Sequence, residues 1–445
     1  MSHPPRLLAA LALGLITLAP AGAQGRATAD DPVFTQGLQW GLGRIDATSA
    51  WDRSTGDGIT IAVVDSGIDL QHEDLVGKIA GSVSCIGAAG DPASCKGSAQ
   101  DDNGHGTHVS GIALAATNNG RGMAGVAPDA RLLAVRVLAN DCTSSGCTAS
   151  GTAADVSAGI RWAVDHGANV INLSLGGGSL QSALGCAFCD AIDYAWSRGA
   201  IAVIAAGNDS VLPSGFGDEP AVIVTATTRE DERASYSNAS SGILRVARWP
   251  VAAPGGESET DPSDCGTGGS PKGVLSTYWA EGQSNQYACL AGTSMAAPHV
   301  SGALAVLRSA GMSPQDAVER LLATAEDLGP PGRDTSFGFG RIDLGRAMGP
   351  APAATTTPTT ATPTTQETVG LPPSSAPPTT ASPIPTTAPA EPPPVTTPDT
   401  TAAAPFDSGR EDPREPPGWL TALAIAAVLA TGTASATTSW HARRA

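Results

Sequence analysis

The stretch GITIAVVDSG, Gly58 to Gly67, decides how this sequence folds. Apolar and β-branched residues fill Ile59 to Val64 with no polar alternation, and an acidic residue and a turn follow directly. Uninterrupted runs of this kind are typical of parallel strands that are buried on both faces. We therefore expect Asp65 at the carboxyl end of a buried strand, at the edge of an open parallel sheet where ligands bind.

Further runs of the same kind recur along the chain, with helical patterns between several of them. They read ARLLAVRVL, NVINLSLGG, AIAVIAAGN and AVIVTAT, and the third ends at Asn208. Strands that alternate with helices indicate an α/β domain, in which helices cover both faces of a mainly parallel central sheet. Asp65 and Asn208 would then lie at the same edge of that sheet.

A second informative stretch, GTSMAAPHVSG from Gly292 to Gly302, holds a serine and a histidine five positions apart. Small and apolar residues from Met295 to Leu307 predict a buried helix that begins near Ser294. Five residues turn about 500° around a helix, so His299 points about 140° away from Ser294 and cannot be its base. We expect His299 to be buried and hydrogen-bonded to nearby backbone. The first N–H groups of this helix can face a developing anion.

The stretch DDNGHGTHVSG, Asp101 to Gly111, offers two other histidines where a further helix is predicted to begin. His105 and His108 are three residues apart and lie on neighbouring faces, so geometry alone does not choose between them. A metal site is an alternative, because Asp101 and Asp102 could supply a further ligand. The spacing is not that of the HExxH zinc motif.

Four of these stretches together resemble the signature blocks of the subtilisin-like serine proteases, peptidase family S8. The blocks are VVDSGID around Asp65, NGHGTHVSG around His105, AAGN ending at Asn208 and GTSMAAPHVSG around Ser294. They occur in that family's order, and NLSLGGG and GVAP are also recognisable. The similarity covers about Trp40 to Met348 and implies a subtilisin-like three-layer fold.

The resemblance also implies a role for each residue. Ser294 is expected to be the nucleophile, His105 its base, and Asp65 the group that orients the imidazole. Asn208 and the Ser294 N–H are expected to bind the oxyanion. Taken singly, each has a structural alternative: Asp65 a turn carboxylate, Asn208 a left-handed turn residue, and Ser294 a helix N-cap.

The same resemblance implies a binding cleft for peptide or protein substrates. Its expected members are a wall for the side chain before the scissile bond, from Ser174, Leu175, Gly176 and Gly177, and a segment that pairs with substrate backbone, from Ser150, Gly151 and Thr152. The loop after Asn208 looks shorter than in familiar members, and the stretch from Pro254 to Cys289 looks longer. The preferred substrate side chain therefore stays open.

A structural calcium ion is implied by ATNNGRGMAGVAP, which resembles the family's calcium loop. The expected ligands are oxygen atoms, as Ca²⁺ prefers, from the side chains of Gln36, Asp74 and Asn119 and the carbonyl groups of Thr117, Arg121 and Met123. A Gly-rich turn held without metal is the alternative. No cofactor is expected for catalysis.

The flanking segments predict export and a membrane anchor. Residues 1–23 combine an apolar run with a small-residue cleavage pattern, as in a signal peptide, and residues 24–39 form a short arm before the catalytic domain at 40–349. Residues 350–417, rich in Pro and Thr, are typical of an extended disordered linker. Residues 418–440 have the length of one membrane span, and 441–445 would be a cytoplasmic tail. A merely exported protein with a weakly apolar tail is the alternative.

Charge and cysteine content narrow the classes of partner and compartment. Acidic residues outnumber basic ones by 42 to 25, and the net charge of -17 argues against a nucleic-acid partner. Eight cysteines, an even number, fit disulfides formed outside the cytosol. Local closure favours the pairs Cys85–Cys95, Cys142–Cys147, Cys186–Cys189 and Cys265–Cys289. The CAFC sequence of the third pair could instead be a redox or zinc motif.

Two functions fit these features. The first is a serine endopeptidase, anchored by a single C-terminal span in the cell membrane with its catalytic domain outside the cell. The second is a non-catalytic envelope component that docks within a secretion assembly. The short N-terminal arm leaves no room for a long pro-segment. This order of parts resembles the membrane-anchored mycosins of actinobacterial type VII secretion, which implies secretion-system components as partners.

Overall fold

The computed structural model describes residues 28–143, 146–175, 186, 188–210, 215–241, 246–257, 265 and 272–349. The predicted signal peptide, linker, membrane span and tail lie outside these residues, as do Gly176 and Gly177. Within the described ranges, no helix is both long and apolar enough to cross a membrane.

A sheet of 7 parallel strands forms the centre of the described domain, and two antiparallel hairpins lie outside that sheet. The strands are β1 (Thr60–Asp65), β2 (Ile79–Ser84), β3 (Arg131–Arg136), β4 (Ala139–Thr143), β5 (Gly146–Ser150), β6 (Val170–Leu173), β7 (Ile201–Ala205), β8 (Ala221–Thr227), β9 (Trp249–Pro254), β10 (Val274–Tyr278) and β11 (Gln286–Leu290). A 7-stranded sheet has the order β2-β3-β1-β6-β7-β8-β9, and each neighbouring pair in it is parallel. β4–β5 and β10–β11 form separate antiparallel hairpins.

Helices lie on both faces of this sheet. They are α1 (Pro32–Thr35), α2 (Trp40–Arg44), α3 (Ala47–Trp51), α4 (His105–Leu114), α5 (Ala153–Asp165), α6 (Cys189–Ser197), α7 (Thr293–Ser309), α8 (Pro314–Ala323) and α9 (Leu344–Met348), with 3₁₀ turns at Val76–Lys78 and Pro92–Ser94.

Strand β1 shows how the sheet separates two cores. Ile61 and Val63 point to the core that contains α4 and α7. Ala62 and Val64 point to the opposite core, which contains α5 and α6. Successive side chains of a strand point to opposite faces, so an unbroken apolar run requires a helical layer on each side. The predicted α/β fold, with a mainly parallel sheet between two helical layers, is confirmed.

Glycines let α4 lie unusually close to its neighbours. A Cβ atom at Gly106 would overlap the carbonyl oxygen of Gly67, which follows β1. One at Gly111 would overlap the hydroxyl groups of Ser276 and Thr277 in β10. The helix that carries His105 therefore reaches the end of β1 because these positions have no side chain.

Three of the four predicted disulfides lie within the described residues. They are Cys85–Cys95, Cys186–Cys189 and Cys265–Cys289. Cys142 is also disulfide-bonded and lies directly opposite Cys147 in the β4–β5 hairpin, but the side chain of Cys147 is outside the described part. The zinc alternative for CAFC is wrong, because both of its sulfur atoms are in one disulfide.

The two ends of the stretch between β9 and β10, at Glu257 and Lys272, lie side by side. The Glu257 N–H donates to the Lys272 carbonyl oxygen at 3.1 Å. The two side chains also form an ion pair at 3.4 Å. Within the stretch, Cys265 is bonded to Cys289 of β11.

His299 and His108 are both buried and hydrogen-bonded to backbone. His299 Nδ1 donates to the Met295 carbonyl oxygen at 2.9 Å, as the sequence predicts. His108 Nε2 donates to the carbonyl oxygens of Val274 and Ala288, at 3.1 and 3.0 Å. Burial lowers the pKa of His299 to about 4 and the pKa of His108 to about 3. Both rings are therefore neutral at physiological pH.

These buried histidines predict an acid-sensitive free energy of unfolding. Below about pH 6.5 the unfolded chain protonates them while the folded chain does not, so stability falls as the pH drops towards 4. Each histidine contributes a slope of about 1.4 kcal/mol per pH unit in this window. We expect His299→Gln to reduce that slope by about one such increment, measured by urea unfolding between pH 6.5 and 4.5 in a Ser294→Ala background that prevents autolysis. The solvent-exposed His166→Gln is the matched control, and equal slopes for both variants would contradict the prediction.

Candidate active site

Asp65 and His105 meet at the carboxyl end of β1. Asp65 ends the strand and is fully buried, and its Oδ1 lies 2.8 Å from His105 Nδ1. The same oxygen accepts the Ser66 N–H at 2.7 Å. His105 is the first residue of α4, and its side chain keeps 26% of its surface exposed. The carboxylate thus fixes a ring whose far edge can reach solvent or a ligand.

Asp101 is a second buried acid beside His105, and sequence reasoning did not give it this role. It is 1% exposed. Its oxygens accept the N–H groups of Asn103 and Thr107, at 3.0 and 3.1 Å, and the hydroxyl of Ser66 at 2.9 Å. These bonds attach the start of α4 to the turn after β1. The acidic pair at the head of DDNGHG is the sequence signal that could have suggested an acid bound to the first turn of this helix.

The metal alternative for this region is wrong. His108 directs Nε2 at two carbonyl oxygens, and the Asp101 carboxylate is held by backbone and hydroxyl donors. Within the described ranges, the one group of side chains with metal-ligand spacing is Cys186, Cys189 and Glu219, and its cysteines are oxidised.

Opposing effects set the pKa of His105. Burial lowers it, but the charge and hydrogen bond of Asp65 and the charge of Asp101 raise it, and the net pKa lies above the usual value for histidine. The site therefore favours the imidazolium form more than water does. A base with this property holds the proton that it takes from a nucleophile.

Ser294 is the second residue of α7. It lies beside Ser174, which follows β6, and near Asn208, which follows β7. Its hydroxyl donates to the main-chain oxygen of Ser174, directly after β6, at 3.2 Å. In the described part of the chain, this hydroxyl makes no hydrogen bond to His105. A proton transfer from this hydroxyl to the imidazole would require the hydroxyl to leave the Ser174 oxygen, and bonds of this kind often tighten only when substrate binds.

Asn208 follows β7 and is oriented by the residue before the serine. Its Oδ1 accepts the Thr293 N–H at 2.9 Å and the Thr293 hydroxyl at 2.8 Å, so Nδ2 faces the other way. A Cβ atom placed on Gly292 would lie 3.1 Å from Asn208 Nδ2 and 3.6 Å from the Ser294 backbone nitrogen. Two N–H donors thus border one space, which stays open because residue 292 has no side chain. Sequence reasoning missed Thr293.

The predicted substrate-binding residues are only partly described. Ser174 is buried, and its side chain contacts the Ser294 backbone rather than open space. Leu175 is half-buried, packed against the core that contains α5 and α6. Gly176 and Gly177 lie outside the described residues. Ser150 ends β5 and is exposed, and Gly151 follows it.

Thr152, the last of these predicted residues, has a local structural role. Its side-chain oxygen accepts the Asp155 N–H at 3.0 Å and caps α5. The cap uses the side chain only, so the predicted pairing of the 150–152 backbone with substrate stays a prediction.

Two of the predicted calcium ligands, Asp74 and Asn119, meet at the loop that follows α4. Asp74 is fully buried and accepts Asn119 Nδ2, the Met123 N–H and the Tyr287 hydroxyl, each at 2.9 Å. Burial raises the pKa of Asp74 above its usual value despite these donors. In the described residues, no Lys or Arg side chain pairs with this carboxylate.

The N-terminal arm places a buried acid beside the 117–123 loop. The side chain of Gln36 is exposed and makes no hydrogen bond to the 117–123 loop within the described ranges. The fully buried acid from this arm is Asp31, which accepts the N–H groups of Asn118 and Asn119 at 3.0 and 3.3 Å. Asp31 precedes Pro32 at the start of α1, and sequence reasoning missed it.

Comparison with known proteins agrees with this geometry. The model of the Subtilase family, peptidase S8, matches residues 56–340. Thermitase of Thermoactinomyces vulgaris is 37% identical over 323 residues, which cover 72% of this chain and 99% of thermitase. Subtilisin BL of Lederbergia lenta is 37% identical over 278 residues, which cover 61% of this chain and 85% of that protein. The solved structure of a protease from Pseudoalteromonas arctica PAMC 21717 matches with a TM-score of 0.57 and 31% identity, covering 72% of this chain and 99% of that one.

The comparisons identify the chain as a serine endopeptidase, and its fold and candidate site agree with that class. The family model matches most of the described domain, and thermitase is 37% identical over 72% of this chain. The chain therefore belongs to the subtilase family. Family membership favours the catalytic function over the non-catalytic docking role. Catalysis in this family uses no cofactor.

Proposed function

We propose that this subtilase hydrolyses peptide bonds with Ser294 as nucleophile, His105 as general base and then general acid, and Asp65 as the residue that orients His105. The hydrogen bond of 2.8 Å between Asp65 Oδ1 and His105 Nδ1 is the observation that supports this most directly. A ring that donates from Nδ1 to a carboxylate carries its lone pair on Nε2, where a serine proton can be accepted.

The reaction then follows in two halves. Ser294 Oγ attacks the scissile carbonyl carbon while its proton passes to His105 Nε2, and His105 gives this proton to the leaving amine as the C–N bond breaks. The resulting ester joins the acyl group to Ser294. Water attacks that ester with His105 again as base, which releases the carboxylic acid and restores the hydroxyl.

The space beside Gly292 suits the negative charge of the intermediate. Asn208 Nδ2 and the Ser294 N–H border it, and Thr293 prevents the amide from turning its oxygen inward. Donors that are fixed before the reaction stabilise an oxyanion without reorganisation.

A structural calcium ion fits the buried acids near α4. Asp31 and Asp74 are both fully buried, and both contact Asn119. Two such carboxylates without a Lys or Arg partner among the described residues favour a bound cation, which would neutralise them. We propose Asp74 and Asn119 as ligands, with Asp31 contributing from the N-terminal arm; Gln36 stays a prediction. Rotation of the Asn119 amide would present its oxygen.

We further propose that the chain is exported and anchored in the cell membrane by residues 418–440, with its catalytic domain outside the cell. The described disulfides support an oxidising compartment. The Pro- and Thr-rich residues 350–417 would hold the catalytic domain away from the bilayer. The mycosin-like order of parts suggests secretion-system components as partners.

The catalytic assignment predicts that Ser294→Ala abolishes labelling by a fluorophosphonate probe. Asn208→Ala should still be labelled but should lower kcat by about 10² to 10³, because one oxyanion donor is lost. Turnover of a chromogenic peptide gives kcat, and the same probe counts the active sites. Labelling that survives Ser294→Ala would show that another residue is the nucleophile.

The calcium proposal predicts a lower Tm when metal is removed. In a Ser294→Ala background, a calcium chelator should lower Tm by about 5 °C, since saturating ligand contributes about 2.7 kcal/mol at a hundred times its Kd. Calcium should restore the Tm, and Asp74→Asn should abolish the response. The exposed Asp57→Asn should respond like the parent. An unchanged Tm in the parent would exclude the site.

The anchoring proposal predicts that the full chain sediments with membranes and needs detergent for release. A chain that ends at residue 350 should be found in the medium with an unchanged kcat. The full-length Ser294→Ala variant controls for self-cleavage of the linker. If that inactive chain is soluble after a salt wash, residues 418–440 are not an anchor.

A further inference from the structure

Pro298 leaves one carbonyl group of α7 without its helical partner. In an α-helix the N–H of residue 298 donates to the carbonyl oxygen of residue 294, but proline has no N–H. The carbonyl group in question therefore belongs to Ser294. Ser294 is half-buried and the helix is buried from Met295 to Leu307, so a carbonyl without a donor is costly here.

Ser174 supplies the missing donor. Its hydroxyl donates to the Ser294 carbonyl oxygen at 2.7 Å. In the opposite direction, the Ser294 hydroxyl donates to the Ser174 carbonyl oxygen at 3.2 Å. Ser174 is 3% exposed, so its side of both bonds is shielded from water. One residue at the end of β6 thus holds both the backbone and the resting hydroxyl of Ser294.

Two more buried side chains hold Ser174 in this orientation. Asn172 Nδ2 donates to Ser174 Oγ at 2.9 Å, and the Ser301 hydroxyl donates to Asn172 Oδ1 at 2.7 Å. Asn172 and Ser301 are both fully buried. Because Ser174 Oγ accepts from the amide, its own proton is free to point at Ser294. Each bond in the series therefore sets the direction of the next.

These hydrogen bonds join α7 to the sheet at two positions along the helix, Ser294 and Ser301. Ser301 lies seven residues after Ser294, two turns along the same face of the helix. Asn172 belongs to β6, which pairs with β1 on one side and β7 on the other. The start of α7 is thus held by the strand that lies between the strands ending at Asp65 and near Asn208.

We propose that Asn172, Ser174 and Ser301 form a positioning relay for the nucleophile. The relay replaces the helical hydrogen bond that Pro298 cannot make, and so lets the sheet rather than the helix set the place of Ser294 relative to His105 and the oxyanion donors. The inference rests on the proposed role of Ser294. It assigns to Ser174 a function beyond that of a pocket wall.

The decisive experiment is a double-mutant cycle between Ser174 and Pro298. Ser174→Ala removes the donor, so Ser294 shifts and kcat for a peptide substrate falls about tenfold, while KM changes by less than about twofold. In Ser174→Ala/Pro298→Ala, the new N–H of residue 298 donates to the Ser294 carbonyl oxygen. The kcat of the double variant therefore recovers to within about threefold of the parent. Pro298→Ala alone changes kcat little.

A serine elsewhere on the same helix gives the matched control. Ser54 is buried, and its hydroxyl donates to the Val306 carbonyl oxygen of α7 at 2.8 Å. Ser54→Ala removes a similar bond at the far end of the helix, so it lowers Tm but leaves kcat per titrated active site unchanged. A general loosening of α7 would affect both variants alike.

Two outcomes would contradict the proposed role of this relay. It is wrong if Ser174→Ala has the parent's kcat, or if adding Pro298→Ala restores none of the lost kcat. If Ser174→Ala does not fold, Ser301→Ala replaces it in the cycle, with a smaller expected loss of about threefold in kcat. Failure of the catalytic assignment itself is seen separately, as probe labelling of Ser294→Ala.

Discussion

Asp65 carries a fully buried carboxylate at the end of β1, and its hydrogen bond to His105 determines how the surrounding elements are arranged. A buried charge is tolerated only where donors compensate it. Its Oδ1 receives the Ser66 N–H and His105, whereas its Oδ2 has no partner in the part of the chain that is described. The imidazole is thus the main compensation for this charge, and α4 must begin where the ring can reach it.

A second buried acid strengthens the same arrangement from the other side of the helix start. Asp101 binds Asn103, Thr107 and Ser66, and so connects the first turn of α4 to the turn after β1. Its charge adds to that of Asp65 in raising the pKa of His105. A protonated imidazole at this position is therefore stabilised by two carboxylates, only one of which contacts it.

The sequence predicted the features that depend on local pattern. Asp65 and Asn208 could be placed at strand ends because the apolar runs stop there, and His299 could be excluded as the base from helical rotation alone. The choice between His105 and His108 could not be made locally, since the carbonyl groups that occupy His108 lie 166 and 180 residues away. Asp31 was missed for the same reason, because its partners are 87 and 88 residues along the chain.

The pair formed by Glu257 and Lys272 has an evolutionary consequence. These residues bring the two ends of the stretch between β9 and β10 together by a backbone hydrogen bond and an ion pair, so the two strands can keep their positions when the length between these ends changes. Closing a longer loop costs little additional entropy once its ends are held. Changes in the length of this stretch should therefore accumulate among descendants of this gene at little cost to catalysis, provided that the Cys265–Cys289 disulfide is kept.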